Sequence, residues 1–227
     1  MRTAFRTAFF LALLSSAGAA SAAISDPVSD FLLTYNGPAN GDVDIVSADV
    51  AFDGTAFAFS ETLNGQPGTT ANSLFVWAIN RGNGIARPAL APPNIGSTLL
   101  WDAVVVMFPD GTLRVVTFPS IGAPTITQIN GGTSVSGSIL SALVPLALLP
   151  STGFAATDYT FELWSRVRVN PLADGTTAEI ADIAPNGGPI VAAVPEPATW
   201  MTMLLGFGLI GGALRVRARA RRVPLGA

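Results

Sequence analysis

The sequence predicts an all-β protein whose body is a single two-layer β-sandwich, flanked by an N-terminal signal helix and a C-terminal transmembrane helix. Three observations carry that expectation. Runs rich in Val, Ile, Phe and Thr recur between turn dipeptides, Asn-Gly at 36, 40, 64, 83, 130 and 186 and Asp-Gly at 53, 110 and 174; such dipeptides tolerate the positive φ of tight hairpin turns. No helical period extends through residues 23–190, and no repeat of fixed length is apparent. Apolar stretches bounded by Arg occupy both ends.

Residues 1–22 have the three parts of a secretory signal peptide: Arg2 and Arg6, the apolar run Ala8 to Leu14, and the small residues Ala20-Ser21-Ala22 that a signal peptidase accepts. The β domain then runs over 23–190. Val46, Ala48, Val50 and Phe52 alternate with Ser47, Asp49, Ala51 and Asp53, and Phe57 and Phe59 continue after Asp53-Gly54, so a first hairpin is expected there. Leu74 to Ile79 and Val104 to Phe108 are continuous apolar runs, the pattern of central strands covered on both faces. Pro109-Asp110-Gly111 turns the second run into Leu113 to Phe118. Ile139 to Leu149 predicts a strand ending near Val144 and a short helical turn, since Pro145 breaks a long helix. From Tyr159 to Val169 alternation is clear: Tyr159, Phe161, Leu163, Val167 and Val169 face one way, and Thr160, Glu162, Trp164, Arg166 and Arg168 the other.

A linker, 191–197, precedes 17 uncharged residues, Ala198 to Leu214. As a helix they are roughly 26 Å long, short for a bilayer but extended by snorkelling Arg side chains. Gly208 and Gly212 are spaced for close packing against another helix. Arg215, Arg217, Arg219, Arg221 and Arg222 fill the tail, 215–227, and place it in the cytoplasm with the body outside.

Composition excludes much chemistry. The chain of 227 residues has no Cys and no His, and its 12 basic residues are all Arg. A Ser-His-Asp triad, a thiolate nucleophile, conventional zinc or haem ligation and a Schiff-base lysine are therefore absent, and no disulfide can form. Residues 23–194 carry 14 Asp or Glu against five Arg, a net of −9 that opposes nucleic-acid binding.

Val194-Pro195-Glu196-Pro197, Trp200, Gly206-Phe207-Gly208 and the terminal Arg cluster together resemble the PEP-CTERM sorting signal of Gram-negative bacteria, in the variant that continues PEPxxWA. Met201 stands where that variant usually has Ala. The resemblance implies recognition by an exosortase, a membrane protein that processes such tails, and association with exopolysaccharide or biofilm matrix. Pro195, Glu196, Pro197 and Trp200 are then substrate residues of the sorting machinery. The body is similar to small exported bacterial β domains of unsettled function, and in shape to jelly-roll or DOMON-like and family 9 carbohydrate-binding sandwiches.

Within the body, Trp164 with Glu162 and Arg166 is a candidate glycan contact, because an aromatic ring stacks on a sugar while charged neighbours bind hydroxyls; the competing and favoured reading is that a loop or the second sheet covers the ring. Asp42 and Asp44 are weak calcium candidates, since oxygen ligands are dense there without the EF-hand spacing. Trp77 and Trp101 lie in or beside apolar runs and belong in the core. The expected function is an exported, non-catalytic surface or matrix protein without a cofactor. A carbohydrate- or calcium-binding module is the alternative. A glycoside hydrolase comes third, as it needs paired carboxylates across a cleft.

Overall fold

The structure, a computed structural model, describes residues 24–33, 35–86, 99–167, 179–185 and 190–192. Strand β1 (Ile24–Ser25) pairs with β2 (Ile45–Phe52), which turns back into β3 (Ala56–Leu63). The turn is held by Asp53, whose Oδ1 accepts from the Thr55 amide at 2.7 Å, the Thr55 hydroxyl at 2.8 Å and the Ala56 amide at 2.8 Å. From β3 the chain crosses to a second sheet and forms β4 (Ser73–Asn80). A small ribbon of β5 (Ile85–Ala86) and β6 (Leu100–Trp101) follows, then β7 (Ala103–Met107), β8 (Thr112–Thr117) and β9 (Thr125–Asn130). The chain returns to the first sheet for β10 (Thr133–Ser136) and β11 (Ile139–Pro145), passes a turn at Leu146–Leu148, and ends in the second sheet with β12 (Thr160–Val167), β13 (Ile180–Ala184) and β14 (Ile190–Val191).

The layers are a five-stranded sheet, β1-β2-β3-β11-β10, and a seven-stranded sheet, β13-β12-β4-β7-β8-β9 with β14 beside β12, every pairing antiparallel. The all-β sandwich is therefore present. Among the described residues no helix is long and apolar enough to cross a membrane. The expected signal and transmembrane helices, with Gly208, Gly212 and the five tail Arg, lie outside the described residues.

The core between the sheets is aromatic. Phe57 and Phe59 from β3 meet Trp77, Tyr159 and Phe161 from the facing sheet, with ring centroids 5.3 Å apart for Phe59–Trp77, 5.5 Å for Phe57–Tyr159 and 5.7 Å for Phe59–Phe161. Each such ring contributes on the order of 1.5–3 kcal/mol by leaving water. Strand β4 explains its unbroken apolar run: Phe75, Trp77 and Ile79 fill the inter-sheet core, while Leu74, Val76 and Ala78 join a second cluster on the outer face with Trp101, Val104 and Trp164. Strand β11 and the turn after it fall where Val144 and Pro145 predict.

Two expectations are corrected. Val46 is not part of the core row: the β2–β3 register passes from Ile45–Leu63 to Ser47–Thr62, bulging at Val46, and Ile45 takes the buried place. The described Asn-Gly pairs do not close two-residue hairpins either. Asn64-Gly65 and Asn130-Gly131 lie on the connections that carry the chain from one sheet to the other. The β10–β11 hairpin turns instead on Gly137-Ser138, with Gly137 at φ +60°.

Candidate functional site

Strand β12 brings Glu162, Trp164 and Arg166 onto one face, as alternation requires, but that face is closed. Trp164 is only 2% exposed and lies 6.4 Å from the Trp101 ring, which meets Phe118 edge-on at 5.1 Å. Glu162 is 7% exposed, and burial alone pushes its carboxyl up to about 7. Arg166 is half-buried and ion-paired with Glu179. Of the two readings of Trp164 the structure has the covered one, because the outer face of the seven-stranded sheet carries its own apolar cluster, and the candidate glycan contact has no open ring.

Asp42 and Asp44 are corrected in the same sense: both are buried, and their oxygens bind the chain. Asp42 accepts from the Thr70 amide at 2.6 Å and the Thr70 hydroxyl at 2.5 Å. Asp44 accepts from the Ser29 amide through both oxygens, at 3.0 and 2.9 Å, and from the Asn64 side-chain amide at 3.0 Å. Carboxylates in short polar loops serve the backbone donors that no ladder satisfies.

The carboxylates that do converge were not marked by spacing. Asp26, Asp30 and Asp182 each place an oxygen within 4.8 Å of the others. They come from the stretch after β1 and from the middle of β13, 152 positions apart at their closest in sequence. Burial, then Asp30 and Asp44, push Asp26 up to about 6. Burial pushes Asp182 to about 7, helped by Asp26 and Asp30 and opposed by the amides of Ile45 and Ile183, which it accepts at 2.7 and 2.8 Å. Three such oxygens are at most half of the six to eight that calcium takes.

Sequence reasoning also passed over a polar joint at the end of β4. Arg81 Nε meets Asp102 Oδ1 at 2.9 Å with both side chains buried. Arg81 further donates to the carbonyls of Pro150 at 2.8 Å and Asp102 at 3.1 Å, and Thr152 donates to Asp102 Oδ2 at 2.5 Å. Arg81 lies two positions past the apolar run Leu74 to Ile79, where a buried charged residue needs a partner.

Glu61 and Glu162 sit apart, Glu61 between the sheets against Trp77 and Glu162 on the outer face of β12. Pro195, Glu196, Pro197 and Trp200 lie outside the described residues.

Comparison with known proteins separates body from tail. No curated protein matches the chain. Residues 193–222 match the family model for the PEP-CTERM protein-sorting motif. That segment contains Pro195-Glu196-Pro197, Trp200 and the Arg cluster, in the order the residues themselves suggested. The chain thus carries a PEP-CTERM protein-sorting motif at its C-terminal end, which supports export and exosortase-dependent, membrane-associated sorting toward the cell surface.

Proposed function

We propose that the protein is a non-catalytic constituent of the cell surface or of an exopolysaccharide or biofilm matrix in a Gram-negative bacterium. The observation that carries this reading is the sorting motif at 193–222. In this reading signal peptidase removes residues 1–22, and residues 198–214 hold the chain in the inner membrane with the Arg tail in the cytoplasm. Proline favours extended backbone at itself and at the residue before it, so a Pro-Glu-Pro sequence suits a processing enzyme that grips an extended chain. The membrane helix is transient, and its Gly208 and Gly212 suit it to packing against the exosortase. A structural role for the body fits its composition: without His, Cys or Lys, general acid–base or nucleophilic work would fall to carboxylates.

Intact-mass measurement of the protein from cell envelope and culture supernatant, for wild type and Glu196→Ala, tests this. A mature species beginning near Ala23 and ending close to Pro195–Pro197, lost in the variant, is expected. A species that keeps its Arg tail in both strains overturns the reading in favour of a plain membrane anchor.

A further inference from the structure

The apolar cover over Trp164 leaves a recess at the start of β12. There Thr160 pairs with Asn80 and Glu162 with Ala78, and these four residues border a cavity of about 300 Å³, at the lower end of the range for small-molecule sites. Ala78 contributes only a methyl group, which leaves room beside the Glu162 side chain. Leu100 and Phe154, both exposed, supply apolar walls.

Glu162 is the one charged residue of this lining among the described residues. It is 7% exposed, yet neither carboxyl oxygen has a hydrogen-bond partner among the described residues. Oε2 is sealed, so the surface left to the carboxyl belongs to Oε1, the oxygen a ligand can reach. The Arg residues of the two paired strands are committed elsewhere, Arg81 to Asp102 and Arg166 to Glu179. Burial alone raises the carboxyl, with no charged neighbour contributing. Among the described residues nothing supplies its ionised form with a countercharge. The rim beside it is set in advance: the Gly82 and Gly84 amides both donate to Asn80 Oδ1 at 3.0 Å. The Thr160 hydroxyl makes no hydrogen bond among the described residues and can accept one.

This lining selects by charge and by apolar surface. An anion would oppose Glu162, and one carboxylate offers too few oxygens for calcium or magnesium. A polyhydroxylated ligand would leave the carboxylate uncompensated and set its hydroxyls against Leu100 and Phe154. An ammonium group with a hydrocarbon stem meets both conditions, donating to Glu162 Oε1 and the Thr160 hydroxyl while the stem lies on the walls. We propose that the cavity bordered by Glu162, Thr160, Leu100 and Phe154 binds a small organic ammonium ion, with Glu162 as its counterion. This goes beyond the sorting function and does not depend on it.

The test is an amide NMR titration of the purified full chain, in a detergent with an uncharged headgroup, with butylammonium, methylammonium, butan-1-ol and butyrate. The proposal expects saturable shifts at the Asn80 side-chain amide and the Thr160 amide with butylammonium, about tenfold or more weaker binding of the alcohol, and none of butyrate. Butylammonium remains a cation throughout, so its binding should tighten about tenfold or more from about pH 5.5 to about pH 8 as Glu162 ionises. Glu162→Gln removes the charge at constant size and should abolish both the preference over the alcohol and the pH dependence, without lowering the thermal midpoint. Leu100→Ala trims an exposed wall and should weaken butylammonium while leaving methylammonium unchanged. Absence of a saturable shift with butylammonium at about pH 8 overturns the proposal. Equal binding of the alcohol to wild type does so too, whatever the variants show, as does undiminished binding to folded Glu162→Gln.

Discussion

The Trp77 indole nitrogen donates to Glu61 Oε2 at 2.7 Å, joining β4 of one sheet to β3 of the other through the buried centre of the sandwich. Burial holds the Glu61 carboxyl well above its usual range, with the Trp77 bond offsetting part of that rise. The folded state therefore keeps a proton that the unfolded state releases above about 4.5, and Glu61 makes the fold less stable as pH rises. Glu61→Gln keeps an acceptor for the indole and removes the titration. We expect it to be at least as stable as wild type near neutrality, with a flatter dependence on pH. Glu61→Ala orphans the indole N–H and opens a cavity, and should lose about 1–3 kcal/mol or more. Urea unfolding of both variants at two pH values checks this; a Glu61→Gln variant much weaker than wild type at neutral pH would sink it.

Other buried acids push the same way and exposed ones oppose them. Asp26, Asp182 and Glu162 rise from 3.8, 3.8 and 4.5 to about 6, 7 and 7. Raised acids take up protons on folding, so their contribution falls as pH climbs from about 4 through 7. Asp53 and Asp110 are lowered by hydrogen bonds from Thr55 and Thr112, so theirs is present above 3.8 and lost as pH falls below it. Stability should peak between about pH 4 and 5. It should then fall steadily as pH climbs to about 7.5. Unfolding midpoints across that range are the measurement, and Asp182→Asn should shrink the drop. A flat profile or a maximum near pH 8 would refute the assignment.

Much of this architecture is legible where side chains alternate. The β2–β3 hairpin and β12 follow from period-two patterns that burial enforces, and the doubly covered β4 and β7 from unbroken apolar runs. Strand β9 is not legible: Thr125 to Asn130 is polar and largely exposed at a sheet edge, where pairing rather than burial holds it. Nor did spacing reveal the Asp26–Asp30–Asp182 cluster, since it joins segments far apart in the chain. What covers Trp164 is hidden for a related reason. Its strand shows one face to the inter-sheet core, and nothing in the alternation says that the other face is covered too. The sorting motif was readable because it acts as a linear segment and needs no tertiary partner to be recognised.

Asp42 fixes the connection between β3 and β4: its two oxygens take the Thr70 amide and hydroxyl. Asp42→Ala leaves a buried amide without a partner and should cost about 1–3 kcal/mol. Amide hydrogen exchange should accelerate in residues 66–72 while the β12 amides stay protected. Uniform acceleration across both sheets would instead make Asp42 a determinant of the whole core.

The Arg81–Asp102 joint gives the sharpest contrast between breaking a buried pair and replacing it. Asp102→Ala strands the Arg81 guanidinium in a buried site and also removes the acceptor of Thr152, so a loss of about 3–5 kcal/mol is expected. Thr152→Ala removes one donor from the rim and should cost about 1 kcal/mol. The joint ties the end of β4 to the start of β7 and to the 150–154 loop, whose Thr152 and Phe154 amides donate to the Arg81 carbonyl at 3.2 and 2.9 Å. Gly82, at φ +122°, lies so close that a Cβ would stand 2.4 Å from the Phe154 nitrogen, so the loop cannot move inward to fill a gap. Damage at Asp102 should therefore stay near this end, with faster exchange at Thr152 and Phe154 and little change at β3 and β11. A double-mutant cycle on Arg81→Met and Asp102→Leu measures the coupling. If the paired variant recovers most of the stability that Asp102→Ala loses, the joint serves to specify where the loop sits more than to hold the sandwich together.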